Sequence, residues 1–424
     1  MMRRGLVAVG FLFWGICLCT GVPSLLRGWF FLFHIQPLSV SWMTVWGLSC
    51  GGLLWSIPKI KADKQVLLLF LGAWLLPIFL SLAGTQSLLD HCVQSGHSEF
   101  VITGSRGWNI HDVMRDYEQM VLSPSQRYAA SKPPGQVVMY FLFNMLAPSG
   151  AGEVPGEFVD GAHWNLSLLL TVLMPLLSGL VVFPMFSLSQ KIGVQYPWVP
   201  VLLFVVSAPF SLIVMHMDQA LYPMLTMLCM VVLYDGMEQQ KIGKLVLSGV
   251  IFGFGCFISF SLLPVILLAG LVVPVRKESI YSLLYVFFGF VLVYLVLYLG
   301  WSYNPILRYQ NAMIHHAQWK GFPWTWGNWW IATRVNIVEF ALWMGPLIPL
   351  FCSQKKKIKD TLLFFLLFLG LLLFGKAAGE VARLWLFLMP VYWIWVCKDG
   401  NNCRWEYAAL MMLWTGLMKW QMDF

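Results

Sequence analysis

Apolar runs of about twenty residues recur throughout this chain, and the intervals between them hold most of its charge. As a helix, a run of that length matches the hydrocarbon thickness of a bilayer, where each backbone N–H must find its acceptor within its own segment. No run shows the weak two-residue alternation of a membrane barrel. The expected fold is therefore all-α: a polytopic transmembrane helical protein with about thirteen spans. These fall near residues 5–22, 38–57, 66–85, 166–189, 196–215, 220–234, 244–259, 262–275, 280–300, 331–352, 360–376, 380–397 and 405–421. Composition agrees, because 59% of residues are hydrophobic and only 11% charged, against about a quarter charged in soluble domains. Residues 1–424 read as a single transmembrane domain, with one large loop, 86–165, inserted between the third and fourth spans. Neither an internal repeat nor a low-complexity linker divides the chain.

Lysine and arginine in short loops resist translocation, so their distribution sets the orientation. With the amino terminus in the cytoplasm, sixteen of the twenty-seven fall on that side, among them Arg3, Arg4, Lys59, Lys61, Lys64 and the basic run Lys355–Lys357. The net charge of +8 then follows from topology, and no nucleic-acid motif accompanies it. The first apolar segment resembles a signal sequence but lacks a small-residue cleavage site, so it reads as a retained anchor. Nine cysteines, most of them inside apolar runs, imply neither a disulfide framework nor a CxxC metal site.

This threading gathers the unusual polar residues on the exoplasmic face. That face receives the large loop, then His216 and Asp218, then His315 and His316 in a Trp-rich loop, and finally Lys376, Glu380 and Arg383 at a span entrance. Glycine and proline should break the stretch 245–275 near Ser259–Pro264, adding Ser259 and Ser261 to the same side. The spans themselves are expected to be nearly free of charge, unlike a transporter with ionisable groups at the midplane.

The large loop carries Trp108, His111, Asp112, Arg115, Asp116, Tyr117, Tyr128 and the run Lys132-Pro133-Pro134-Gly135. On a helix, Asp112 and Asp116 would share one face, with Arg115 alongside. Pro133 and Pro134 bar a helix through that point and set Lys132 on stiff, extended backbone. Residues 136–147 are too few to span and should form an interfacial helix. Each candidate also has an ordinary role. The acidic pair and Arg115 could be a solvated helix face, Lys132 could snorkel to a headgroup, and Glu380 and Arg383 could neutralise each other. His216 with Asp218 could end a helix pair, and His315, His316 and the run Trp319–Trp330 could form an aromatic belt.

Lys132-Pro133-Pro134-Gly135, followed by an aromatic apolar segment, resembles the Lys/His-Pro-Pro-Leu/Gly signature of the GT-C glycosyltransferases. These polytopic enzymes include protein O-mannosyltransferases and lipid A aminoarabinose transferases. The run from Gly379 to Pro390 resembles a Glu-x-x-Arg segment of bacterial members. The sharp matches cover about thirty residues, and the Asp-Glu pair that many members carry after their first span has no counterpart here. The resemblance implies a GT-C-like fold and a polyprenyl-phosphate sugar donor, with a lipid, glycan or protein as acceptor among membrane lipids.

In such a reaction a carboxylate takes the proton of an acceptor hydroxyl while cations stabilise the departing phosphate. Asp112 or Asp116 suits the base. Lys132, Arg115 and Arg383 suit the donor phosphate, and His111, Tyr128, Glu380, His216, Asp218, His315 and His316 are the expected substrate contacts. A divalent metal on Asp112, Asp116, His111 or Asp218 could supply part of the positive charge, although the spacing does not require one. The expected location is a bacterial inner membrane, with the site on the periplasmic, exoplasmic side. Two other activities fit the same layout: a flippase or transporter of lipid-linked sugar, and an oligosaccharide ligase or polymerase.

Overall fold

The computed structural model describes residues 2–29, 31, 33, 35–85, 89–90, 98–105, 109–122, 127–147, 161–213, 219, 221–272, 279–320, 325–347, 358–373, 379–398 and 406–422. Among the described residues no strand forms, and an isolated bridge joins Phe33 to Met422. The helices in the first half are α1 (Met2–Thr20), α2 (Val40–Ser56), α3 (Ala62–Leu82), α4 (Ser98–Ser105), α5 (Ile110–Met120), α6 (Arg127–Ala130), α7 (Gly135–Leu146), α8 (Gly161–Gly179), α9 (Val182–Lys191), α10 (Trp198–Val205) and α11 (Ala208–Ile213). There follow α12 (Leu221–Glu238), α13 (Ile242–Ile258), α14 (Val265–Val272), α15 (Ser279–Trp301), α16 (Pro305–Lys320), α17 (Trp326–Met344), α18 (Ile358–Leu373), α19 (Val381–Leu384), α20 (Leu388–Cys397) and α21 (Glu406–Gln421).

Every expected apolar stretch contains helix. Among the described residues four, Val40–Lys59, Ala62–Leu82, Gly161–Lys191 and Tyr281–Trp301, are long and apolar enough to cross a membrane. Along α15 the chain turns Leu283, Leu284, Phe287, Phe288, Val291, Leu295 and Leu299 outward. Water-facing surfaces of soluble proteins rarely carry so continuous an apolar stripe, and lipid is its natural solvent. The chain is a membrane protein.

Local chemistry sets the helix ends. Asn109 caps α5 by accepting the Asp112 N–H at 2.8 Å, and Asn304 accepts the N–H groups of Ile306 and Leu307, each at 3.1 Å, where Pro305 opens α16. The expected break after α13 is present. Ser259 is extended and its Oγ accepts the Ser261 N–H at 3.3 Å, a 3-10 turn covers Phe260–Leu262, and α14 starts after Pro264.

Glycines fix the closest crossings. A Cβ on Gly249 or Gly289 would collide with the carbonyl oxygens of Val286 and Val246 respectively, so α13 and α15 touch backbone to backbone. Gly249 and Gly253 lie four apart on the contact face of α13, the small-residue spacing that lets membrane helices approach. The described part of the large loop has its own core: Phe100, Val101, Val113, Tyr117, Val137 and Tyr140 bury one another against Leu166, Leu170 and Met174 of α8.

Three expectations need correction. His315 and His316 sit on α16, not in a loop, because Asn304 and Pro305 start a helix that runs through them. The apolar stretches are not free of charge, since α17 buries Glu339 completely and α21 leaves Lys419 only 2% exposed. Cys397, at the end of α20, is disulfide-bonded.

Candidate functional site

Lys132 is held by a tether that starts in the preceding helices. The Glu99 carboxylate accepts the N–H groups of Tyr128 and Ala129 at 3.0 and 2.8 Å, closing the start of α6 with a negative charge. At the other end of α6 the Tyr117 hydroxyl donates to the Ala129 carbonyl at 2.9 Å and lies 3.4 Å from that of Lys132. Burial raises the pKa of Tyr117 well above the ordinary tyrosine value, so the hydroxyl stays protonated as a donor. Arg308 of α16 is fully buried, stands 5.5 Å over the Tyr117 ring and donates to the Ala130 carbonyl. Glu118 accepts from Arg308 at 3.1 Å and from Asn311 at 2.8 Å. The Lys132 ammonium then extends over the Phe100 ring, 4.9 Å from its centre.

Glu380 and Arg383 are positioned from a different direction. Gly379 takes φ +73°, a left-handed turn that glycine adopts without a Cβ clash, and brings the chain into α19. Asn336 Oδ1 accepts the Gly379 N–H at 3.2 Å, and Glu339 Oε1 accepts the Ala382 N–H at 2.9 Å. Two polar side chains of α17 thus hold the backbone on either side of Glu380. Arg383 donates to Glu380 at 2.5 Å, with side-chain exposures of 11% and 3%.

These two structures meet at a cavity of about 470 Å³. One part of its wall is polar, with Tyr128, Ser131 and Lys132, Gln219, Ser259 and Ser261, Tyr309 and His316, and Glu380 and Arg383. The rest is apolar, including Phe260, Leu263, Leu267, Leu367, Leu371, Trp385 and Phe387. Three of the four polar segments read from the sequence contribute expected residues, and Gln219 lies beside the second, whose His216 and Asp218 lie outside the described residues. The described charged groups of the wall are Lys132, Arg383 and Glu380 besides His316, and they stand against a largely apolar remainder, an arrangement that suits a ligand with a charged head and an apolar chain.

Five candidates from the sequence line this cavity: Tyr128, Lys132, His316, Glu380 and Arg383. Asp112, Arg115, Asp116, His111 and His315 are not in its wall. Asp116 has non-helical backbone (φ −106°, ψ 15°), so the expected shared face of the two aspartates is broken by a kink. Arg115 instead binds its neighbour Asp116 at 2.8 Å and approaches Asp112 at 3.7 Å, and all three side chains are 40% exposed or more. The hydrogen bond and charge of Arg115 hold the Asp116 carboxyl below the usual carboxylate range. Asp112 is engaged by Asn109, which donates to it at 2.6 Å. His216, Asp218, Lys376, Trp108 and the run Lys355–Lys357 lie outside the described residues. Among the described residues no group of three or more His, Cys, Asp or Glu side chains is placed to hold a metal ion.

Sequence reasoning missed Glu99, Glu118, Arg308, Asn336, Glu339 and Gln219. Glu339 alone carried a signal, as a carboxylate inside an apolar run, where ionisable groups are costly enough to mark function or structure. No protein-family model matches this chain, and neither the curated proteins nor the solved structures contain a significant match to it.

Proposed function

We propose that the chain is a GT-C-like membrane glycosyltransferase with about thirteen spans. In this reading it moves a sugar from a polyprenyl-phosphate donor to an acceptor at the exoplasmic face of a bacterial inner membrane. The observation that carries this is the cavity, in which Lys132 and Arg383, about 250 residues apart in the sequence, share one half-apolar chamber. The cations suit the donor phosphate and the leucine-rich wall suits its isoprenoid chain. Tyr128, His316 and Gln219 offer hydrogen bonds to sugar hydroxyls.

In the reaction, a carboxylate takes the acceptor hydroxyl proton as that oxygen attacks the anomeric carbon. The bond from carbon to phosphate oxygen breaks, its electron pair leaves with the lipid phosphate, and the anomeric centre inverts. Arginine can hold the phosphate through two parallel hydrogen bonds while lysine contributes a point charge. Asp112 or Asp116 could serve as base only through an acceptor that reaches from the exposed surface of α5, whereas Glu380 already stands in the wall.

The test is sugar release from labelled polyprenyl-phosphate donor by purified protein. Lys132→Ala and Arg383→Ala are each expected to lower release at least about a hundredfold, the scale of removing a donor to developing negative charge. Asp112→Asn and Asp116→Asn made separately identify or dismiss those bases. Donor binding without sugar release would assign a lipid-sugar carrier, and transfer of preassembled chains would assign a ligase. Full release by both cation variants would overturn the reading.

A further inference from the structure

We infer that Glu380 occupies on Arg383 the place of the donor phosphate, and that phosphate binding moves it off Arg383 to act as the base. The inference rests on the transferase reading and assigns within it a role that position in the large loop does not suggest. Glu380 and Arg383 sit within one turn, i and i+3, and form a nearly buried ion pair in the wall of the cavity. Asn336 and Glu339 clamp the backbone at Gly379 and Ala382, so the pair can open by side-chain rotation while the main chain stays fixed. A carboxylate left in that wall after the phosphate takes its place on the guanidinium loses a cation that favours its charged form, and its affinity for a proton rises, as a base requires. A phosphate offers the guanidinium a bidentate, charge-assisted alternative, and Lys132 in the same wall adds a second cation that favours the exchange.

The step balances. Displaced from Arg383, the Glu380 carboxylate accepts the proton of the acceptor hydroxyl and becomes a neutral acid. The acceptor oxygen bonds to the anomeric carbon, and the bond to phosphate oxygen breaks with its pair on the leaving phosphate, whose charge Arg383 and Lys132 now hold. Glu380 thus excludes anions from an empty site and takes part in the reaction only after the correct anion has entered.

The experiment uses the full-length protein in nanodiscs with farnesyl phosphate as probe. Glu380→Gln is expected to bind it roughly fivefold more tightly than the native protein, equivalent to about 1 kcal/mol, because the competing charge is gone. The gain should vanish when Arg383→Ala is added. Sugar release by Glu380→Gln is expected to fall at least about a hundredfold despite the tighter binding, a split that a merely structural loss would not give. Equal or weaker binding by a folded Glu380→Gln protein overturns the displacement, and retained sugar release overturns the base. If the native protein binds the probe but releases no sugar from any donor, the transferase reading fails, and the displacement is still decided by the binding ratio.

Discussion

A methyl group on Gly135 would fall well inside the contact distance of the Phe257 carbonyl oxygen, so no side chain fits where α7 crosses the end of α13. Gly135→Ala is expected to destabilise the protein by about 1–3 kcal/mol, as overpacking does, read as a lower melting temperature in detergent. An unchanged melting temperature would mean the two helices part easily. Tyr117→Phe keeps the ring and removes the donor to the Ala129 carbonyl, which still accepts the Lys132 N–H at 3.0 Å, so the change is expected to cost about 0.5–1.5 kcal/mol. Its sharper reading is in sugar release, which should fall with the position of Lys132 while Asp112→Asn, an exposed change, leaves stability within about 0.5 kcal/mol. At this scale the sequence shows which groups are unusual and hides how they are held. Lys132, Glu380 and Arg383 stand out as charges at the ends of apolar runs. Glu99, Glu118 and Arg308 look like ordinary surface residues because their partners lie tens to hundreds of residues away, and only folding reveals that Arg308 is buried against Tyr117 and Ala130.

Helices were legible because apolar run length decides them, and proline and serine near 259–264 marked the break that brings Ser259 to the cavity. Local geometry was less legible. The i, i+4 pairing of Asp112 with Asp116 assumed an unbroken helix, and the kink at Asp116 gave its carboxylate to Arg115 instead. The crossing of α13 and α15 offers a test of what holds elements together without water between them. Gly249→Leu and Gly289→Leu each force the helices apart and should reduce the folded yield severely. Gly47→Leu and Gly51→Leu on α2, where a Cβ would meet nothing within 4 Å, should express normally. Equal expression of all four variants would show that the glycine contact adds no stability. Mild effects at Gly249 and Gly289 alone would mean that the neighbouring α12 supports α13 independently.

The whole molecule has two ends, and α13 separates them. Lys244 at its start shares Asp235 with Lys191, while Ser259 just past its end lines the cavity, about 25 Å away along the helix. In the proposed orientation, which follows the lysine and arginine distribution, the Lys244 end faces the cytoplasm. Cys397 pulls the other way: it is disulfide-bonded, roughly 15 Å along α20 from Phe387 of the cavity wall, and disulfides persist in oxidising compartments. The proposed orientation rests on sixteen of the twenty-seven basic residues, because positive charge acts at every loop during insertion. The expected outcome is that Lys132→Cys reacts with a membrane-impermeant maleimide in intact spheroplasts, while Lys244→Cys reacts only after permeabilisation. The reverse pattern would turn the cavity toward the cytoplasm and place Cys397 in the oxidising space. The donor would then have to present its phosphate and sugar from the cytoplasmic leaflet, and the cations at Lys132 and Arg383 would serve a reaction before translocation instead of after it.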